Sequence, residues 1–189
     1  KSMYGGKALR MITKGFSQNG YDIYFKILNA CDFGVPQNRE RVFIVGTKKN
    51  KKFDFPEPSF VKVGNLNPKK NVEEAIGDLI KPKKNIKNHI ILNHSEIVLQ
   101  RYKLIKEGGK LPPPEELPKA IRRKNFGNTY QRLHRKLVAP TMVPGNNAFP
   151  VHPTEHRSLT PREAARIQSF PDNHEFIGSR KVQCILVGN

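Results

Sequence analysis

Thr160-Pro-Arg-Glu163 constrains the fold more than any other stretch of this 189-residue chain. A threonine side chain accepts from the backbone N–H three residues on, and a glutamate there reaches back to the threonine's own N–H. Proline suits the first helical position, because the N–H it lacks would be unpaired anyway. The four residues predict a helix from Pro161 to about Gln168, ended by Phe170-Pro-Asp. After it the chain is expected to stop at Val187-Gly-Asn189 with no terminal element.

The remaining elements are weaker signals. Leu9, Ile12 and Phe16 follow helical spacing, and Gly20 is placed to end that helix in a left-handed turn. Tyr21, Ile23, Phe25 and Ile27 alternate, which predicts one strand face. Arg41-Val-Phe-Ile-Val-Gly-Thr predicts a short buried strand, antiparallel to the first. Asn71 is placed as an N-cap with Glu74 three residues on, ahead of the stripe Val72, Ala75, Ile76, Leu79 and Ile80. A further helix is expected from Ser95 to Gly108-Gly109, and Lys110-Leu-Pro-Pro-Pro is a loop. Short, turn-rich strands are expected between Phe126 and Val151. At 37% apolar residues, with 15 Pro and 14 Gly, the core should be modest: one domain, or one small domain plus a lobe.

Charge narrows the partner. The formal net charge is +18, from 34 basic and 16 acidic side chains. Residues 48–150 hold 22 of the basic and 9 of the acidic groups, a net of +13; residues 1–47 carry +4 and residues 151–189 only +1. A localised excess of this size points to a polyanion, most often nucleic acid. The basic clusters are Lys48–Lys52, Lys81-Pro-Lys-Lys84, Lys119–Lys124 and Arg132–Lys136, the last two interleaved with Phe126, Tyr130 and His134. A solvated surface explains some of these lysines equally well. No apolar run approaches the roughly 18 residues that span a bilayer, so no membrane partner is expected.

The chemistry-bearing residues are few. Cys31 and Cys184 read as small buried hydrophobes rather than nucleophiles. The pairs His89/His94 and His152/His156 lack metal-ligand spacing and read as surface or DNA-backbone groups; no metal is expected. Gln37-Asn-Arg-Glu-Arg41 is different. Arg39 and Arg41 share a face where a loop enters a strand, at the end of a sheet, where α/β proteins tend to bind ligands. A structural ion pair with Glu40 or another carboxylate is the equal alternative.

Three stretches together resemble the C-terminal part of the cytosine-5 DNA methyltransferases. Asn29-Ala-Cys-Asp-Phe-Gly-Val-Pro-Gln-Asn-Arg-Glu-Arg-Val-Phe-Ile-Val-Gly46 is similar to the family's eighth motif. His156-Arg-Ser-Leu-Thr-Pro-Arg-Glu-Ala-Ala-Arg-Ile-Gln-Ser-Phe-Pro-Asp172 is similar to the ninth, and Val187-Gly-Asn189 to the opening of the tenth. The stretch between the first two has the size of a target-recognition domain. The resemblance implies an α/β fold: the last strands of a Rossmann-like methyltransferase sheet (residues 1–50), a small, irregular, mixed recognition domain (51–150), and the ninth-motif helix with a return toward the catalytic domain (151–189).

The same resemblance implies chemistry. Such enzymes flip a cytosine out of the duplex, attack C6 with a cysteine thiolate, and transfer the methyl group of S-adenosyl-L-methionine to C5. By position, Arg41 matches the arginine that contacts the flipped base near its O2; Arg39 and Gln37 are supporting. Thr141, in Ala139-Pro-Thr-Met-Val, matches the recognition domain's threonine. Arg157, Thr160, Arg162, Glu163 and Arg166 match the motif that organises that domain, and Asn189 a residue near the cofactor. By chemistry and position, Arg122, Arg123, Gln131, Arg132 and Arg135 are candidates for DNA contact. The Pro-Cys nucleophile, the Glu-Asn-Val signature and the Gly-rich cofactor loop do not occur in this sequence. The chain therefore reads as a fragment, inactive alone, whose partners are double-stranded DNA, the missing N-terminal catalytic segment and a cognate restriction endonuclease system. A bacterial cytoplasmic, nucleoid-associated setting follows. The alternatives are a non-catalytic basic DNA-binding module, a subunit of a split methyltransferase, and a basic ribosome-associated protein. Duplex affinity is expected to fall steeply as salt rises, because phosphate neutralisation releases counterions. A flat response between low and moderate salt would remove the basic middle segment as the DNA face.

Overall fold

A computed structural model describes residues 6–60, 68–82, 85–123, 127–145 and 148–189. Lys83, Lys84, Lys124 and Phe126, named above within basic clusters, lie outside them. The chain opens with helix α1, Lys7–Gln18, closed by Gly20 at φ +78°, a left-handed value that suits glycine. Strands β1 (Tyr21–Asn29) and β2 (Glu40–Lys48) form a two-stranded antiparallel sheet, with Tyr21 opposite Lys48 and Asn29 opposite Glu40. Between them runs a 3-10 turn, Ala30–Phe33, ended by Gly34 at φ +85°. A Cβ at Gly34 would also lie 2.8 Å from the Phe60 ring.

The register keeps Tyr21, Ile23, Phe25 and Ile27 on one face, as alternation predicts. The expected burial of β2 does not hold. Phe25 and Ile27 on one face and Phe43 on the other are each at least 40% exposed. A strand is buried only where a second layer covers each face, and among the described residues the covering element is α1, which lays Phe16 near Gly46 and edge-on to Tyr21.

Helix α2, Val72–Ile76, starts where Asn71 and Glu74 form a reciprocal capping box: Glu74 N–H donates to Asn71 Oδ1 (3.0 Å) and Asn71 N–H to Glu74 Oε2 (2.7 Å). It tightens into a 3-10 turn at Gly77–Ile80. That change of period keeps Leu79 buried and turns Ile80 out, against the expected stripe. Helix α3, Glu96–Lys103, ends before the glycines at 108 and 109. Its last turn is stopped from outside: Arg132 donates from Nη2 to Tyr102 O and from Nε to Ile105 O, both at 2.7 Å, taking carbonyls a longer helix would use. In place of strands, the described part of residues 126–151 holds a 3-10 turn at Gly127–Tyr130 and isolated bridges, Lys110 to Gln131, Gln37 to Ala139 and Arg132 to Val151. Helix α4 is Pro161–Ile167.

The chain does not end without an element. Helix α5, Arg180–Gly188, is capped by Ser179, whose Oγ accepts from Val182 N–H at 3.5 Å. It buries Cys184 and Val187, one helical turn apart, against α4. Gly188 passes so close to Pro144 that a Cβ would lie 2.3 Å from the Pro144 Cα. One apolar core joins α2, α4 and α5 through Val72, Ile76, Leu79, Ala164, Ile167 and Val187. A second, of Tyr102, Ile105, Leu117, Ile121, Tyr130 and Val151, lies beside α3.

Helix α4 is unusual because it buries Arg162 and Glu163 completely. Glu163 accepts two bonds from Arg157 (2.8 and 2.7 Å) and one from Thr160 N–H (2.8 Å), while its own N–H donates to Thr160 Oγ1. Burial alone would raise the Glu163 carboxyl; Arg157, His152 and the Thr160 N–H outweigh it and hold it below the ordinary carboxylate range. His152 Nδ1 accepts from the N–H groups of Thr154 and Glu155, so its proton sits on Nε2, 3.7 Å from Glu163. Burial pushes His152 down to about 4.

Truncation in Glu163→Ala should cost about 3–5 kcal/mol in urea unfolding, because it strands Arg157 without its buried partner. Between pH 6.5 and about 4 the unfolded chain takes up the His152 proton and the folded chain does not. Stability should therefore be full above 6.5 and fall as pH drops through that window. His152→Asn, which keeps an acceptor for the two N–H groups, should flatten that limb; an unchanged slope would assign it elsewhere.

Candidate functional site

The site grows from the loop between the two strands. Pro36 and Gln37 are buried, and the loop is strapped to residues 139–141 from far along the chain. Asn38 N–H donates to Ala139 O (2.7 Å), Ala139 N–H to Pro36 O (3.0 Å), and the Thr141 hydroxyl to Asn38 O (2.7 Å). Asn29 braces the other side: its Oδ1 accepts from Arg39 N–H at 3.0 Å, and its Nδ2 donates to Asn38 Oδ1 at 2.5 Å. Gln37 is 1% exposed, and neither of its amide atoms has a hydrogen-bond partner among the described residues. A buried, unsatisfied amide costs about 1–3 kcal/mol, an expense seldom met outside functional loops.

Arg39 and Arg41 face one open cavity of about 490 Å³, with Leu28, Ala30, Phe33, Phe43 and Pro56. Among the described residues no carboxylate lines it. Arg41 Nη1 rests on the Glu40 carbonyl at 2.7 Å rather than on the Glu40 side chain. Burial, then the neighbouring Arg41 charge, push the Arg39 guanidinium down, so an electron-rich ligand would relieve both. The lining is almost wholly apolar, so chiefly the aliphatic stems of Arg39 and Arg41 wall the cavity, a surface that suits the face of a flat ring with the charged ends near its rim.

Arg157, Thr160, Arg162, Glu163 and Arg166 lie elsewhere and clamp backbone carbonyls and carboxylates. Arg162 donates to Lys87 O (3.0 Å), Pro171 O (2.9 Å) and His174 O (2.5 Å), and its own N–H donates to Asn88 O. Arg166 grips Asp172 with two bonds (2.8 and 2.6 Å) and Asp78 with one (2.5 Å). The Asp172 contact, above all, raises its already high pKa. Thr160 Oγ1 lies 3.0 Å from His89 Nδ1, while His89 Nε2 meets Leu79 O, which makes Nε2 the protonated nitrogen. His89, His94 and His152 are thus hydrogen-bonded supports, not surface groups. No cluster of metal-ligating side chains occurs among the described residues.

The five candidate DNA contacts divide. Arg132 is 3% exposed; besides the carbonyls of Tyr102 and Ile105 it donates to His152 O and Glu155 O, both at 2.7 Å, and Nη2 meets His156 Nδ1 at 3.0 Å. With all five N–H donors committed in the interior, none is left to reach a base, so in this fold Arg132 is a scaffold residue. Arg135 is exposed but paired with both Glu107 oxygens. Arg122 and Arg123 are exposed, with single long bonds to Leu117 O (3.3 Å) and Tyr130 Oη (3.4 Å). Gln131 is half-buried, with its backbone bridged to Lys110 and Val151. Asn189 is exposed at the end of α5. Both cysteines are buried and burial raises both thiols, away from the thiolate a nucleophile needs.

Some residues that build the site carried no local signal. Asn29 and Asn88 act through side-chain amides that bond remote groups, and Asn38 through its backbone; only their tertiary partners reveal them. Lys69 is another: its Nζ lies 2.5 Å from Asp32 Oδ1 and 3.3 Å from the Cys31 sulfur, pinning the turn beneath the loop.

Loop, strap and buried clamp together form a mixed α/β arrangement in which remote segments hold the Arg39–Arg41 loop. Residues 1–189 match the C-5 cytosine-specific DNA methylase family, and the chain belongs to it. It is 35% identical over 191 residues to a type II methyltransferase of Haemophilus parahaemolyticus, covering 97% of this chain and 48% of that protein. It is 35% identical over 190 residues to the type II methyltransferase M.NgoFVII of Neisseria gonorrhoeae, covering 97% and 50%. The chain thus spans about half the length of these relatives. Among solved structures, a prophage-encoded E. coli protein provisionally classed as a DNA modification methyltransferase superposes with a TM-score of 0.69 at 24% identity, over 97% of this chain and 60% of that one. That likeness concerns the fold. No helix among the described residues is long and apolar enough to cross a membrane.

Replacing Thr141 by Val should remove about 1 kcal/mol of strap and speed hydrogen exchange of the Asn38 amide at least several-fold. Unchanged exchange at Asn38 would mean the hydroxyl does not hold the loop.

Proposed function

We propose that this chain is the recognition-bearing part of a site-specific DNA (cytosine-5-)-methyltransferase of the restriction–modification type. The observation that carries the reading is the cavity at Arg39 and Arg41, hydrogen-bonded through its loop to the Thr141 segment. In this reading Arg41 takes the O2 edge of a cytosine turned out of the duplex, and Arg39 and Gln37 support the loop that presents it. Thr141 holds the strap at the flipped nucleotide. The basic segment 51–150 lies along the duplex, where Arg122 and Arg123 are the more available of the candidate contacts, and Gln131 and Arg135 follow.

The nucleophile is supplied by the rest of the protein, since neither buried cysteine suits the task. S-adenosyl-L-methionine would supply the methyl group. Among this chain's residues Asn189 is the one assigned to its neighbourhood, and a single exposed amide does not make a cofactor site. The ninth-motif clamp, Arg157, Thr160, Arg162, Glu163 and Arg166, holds the recognition segment against α4. Double-stranded DNA and an N-terminal catalytic segment are the partners, with a restriction endonuclease as the biological counterpart; the setting is bacterial and nucleoid-associated.

The test is reconstitution. The chain alone should transfer no methyl group to duplex DNA, and adding a polypeptide with the family's nucleophile-bearing segment should restore transfer to C5. In that mixture Arg41→Ala should lower kcat/KM at least 100-fold, while Arg39→Ala lowers it less. Full activity with Arg41→Ala would remove Arg41 from the base. Methylation by the chain alone would overturn the division of labour.

A further inference from the structure

A second cavity, of about 130 Å³, shares no lining residue with the one at Arg39 and Arg41. It lies between α3, the recognition segment and the first residue of α5. Two arginines line it, Arg123 and Arg180, together with the hydroxyl-bearing Ser158, Thr129 and Tyr130. Among the described residues no aspartate or glutamate lines it. Arg180 Nη2 donates to Leu159 O at 3.2 Å, which fixes its guanidinium at the wall.

The walls are stiff. Arg123 lies 5.6 Å over the Tyr130 ring, and Arg101, buried, holds the same hydroxyl at 3.1 Å while its Nε donates to Ile121 O at 2.7 Å. Tyr102 and Tyr130 pack ring to ring at 5.6 Å, and His94 meets Tyr102 edge-on at 5.1 Å. His94 Nε2 accepts from Ser158 N–H at 3.2 Å, so its proton sits on Nδ1. The local field is positive: burial first, then the Arg180 and Arg157 charges, hold His94 below its ordinary value and so uncharged. A half-enclosed slot with two fixed guanidinium forks, hydroxyls and no acid is built for a tetrahedral anion.

We propose that Arg123 and Arg180 form a phosphate-binding slot that takes one phosphodiester of the DNA backbone. The proposal rests on the duplex-binding reading above. Its consequence is mechanical: a single phosphate ties the recognition segment, through Arg123, to helix α5, through Arg180. Such a contact positions the duplex without reading its sequence. An inorganic phosphate ion shares the chemistry, so the experiment separates the two sources.

Two measurements on the full chain decide it. In the first, inorganic phosphate is titrated and followed by 31P line broadening. Wild type should broaden the line, Arg180→Gln and Arg123→Gln should not, and a short duplex should restore the sharp line by displacement. In the second, duplex affinity is measured against salt. Each variant should weaken binding equally for unrelated sequences and reduce the log–log salt slope by about 0.9, the value for one phosphate contact. Circular dichroism checks each variant's fold; if Arg180→Gln unfolds, the exposed Arg123→Gln carries the test. Phosphate that duplex does not displace would make this a free-anion site and overturn the backbone assignment. Unchanged lines and slopes in both variants would overturn the slot. No duplex binding by wild type at any salt would sink the duplex reading itself, with the phosphate line still reporting whether the anion slot exists.

Discussion

The structure depends on answering charges that α4 carries into the interior. A buried carboxylate and a buried guanidinium are each costly unless every lone pair and proton is met. Glu163 is met by Arg157, by Thr160 and, at longer range, by His152. Arg162 is met by the carbonyls of Lys87, Pro171 and His174. These partners come from before and after the helix, so satisfying one short helix determines where residues 87–89, 152–158 and 171–176 must sit. The capping box is therefore more than a helix start: the glutamate that closes it also anchors Arg157.

The same logic places the loop that carries Arg39 and Arg41. An isolated two-stranded sheet is marginal in water, and both its faces expose large apolar side chains. What holds the loop's end of the hairpin is the strap from Ala139 and Thr141. That strap leads into the same core as α4, through Ala139, Met142 and Phe149. Position is thus transmitted from the buried clamp through packed side chains to the rim of the Arg41 cavity.

Local chemistry was legible where it involves neighbours in sequence. The caps at Asn71 and Thr160, the left-handed Gly20, the alternation of β1 and the antiparallel pairing all follow from a few adjacent residues. Four features were not. The end of α3 is decided by Arg132, some thirty residues away. Helix α5 was missed because its glycine looks like a terminator until Pro144 is seen against it. The exposed β2 reads as buried because β-branched runs do not say how many layers will cover them. The histidines read as surface groups because their partners, Leu79, Thr160 and Ser158, are remote.

By itself the sequence determined the caps, the pairing of the two strands, the localised positive charge and the resemblance to the family. Those are properties of composition and of contacts within a few positions. Tertiary structure alone decided which arginines are free for a ligand. Arg132 and Arg162 look as available in sequence as Arg122 and Arg123, but a buried guanidinium is consumed by the carbonyls around it. Arg39 and Arg41 instead line an open cavity that no acid among the described residues enters. A charged side chain's function depends on what else reaches it, and that is settled by chain segments far apart in sequence.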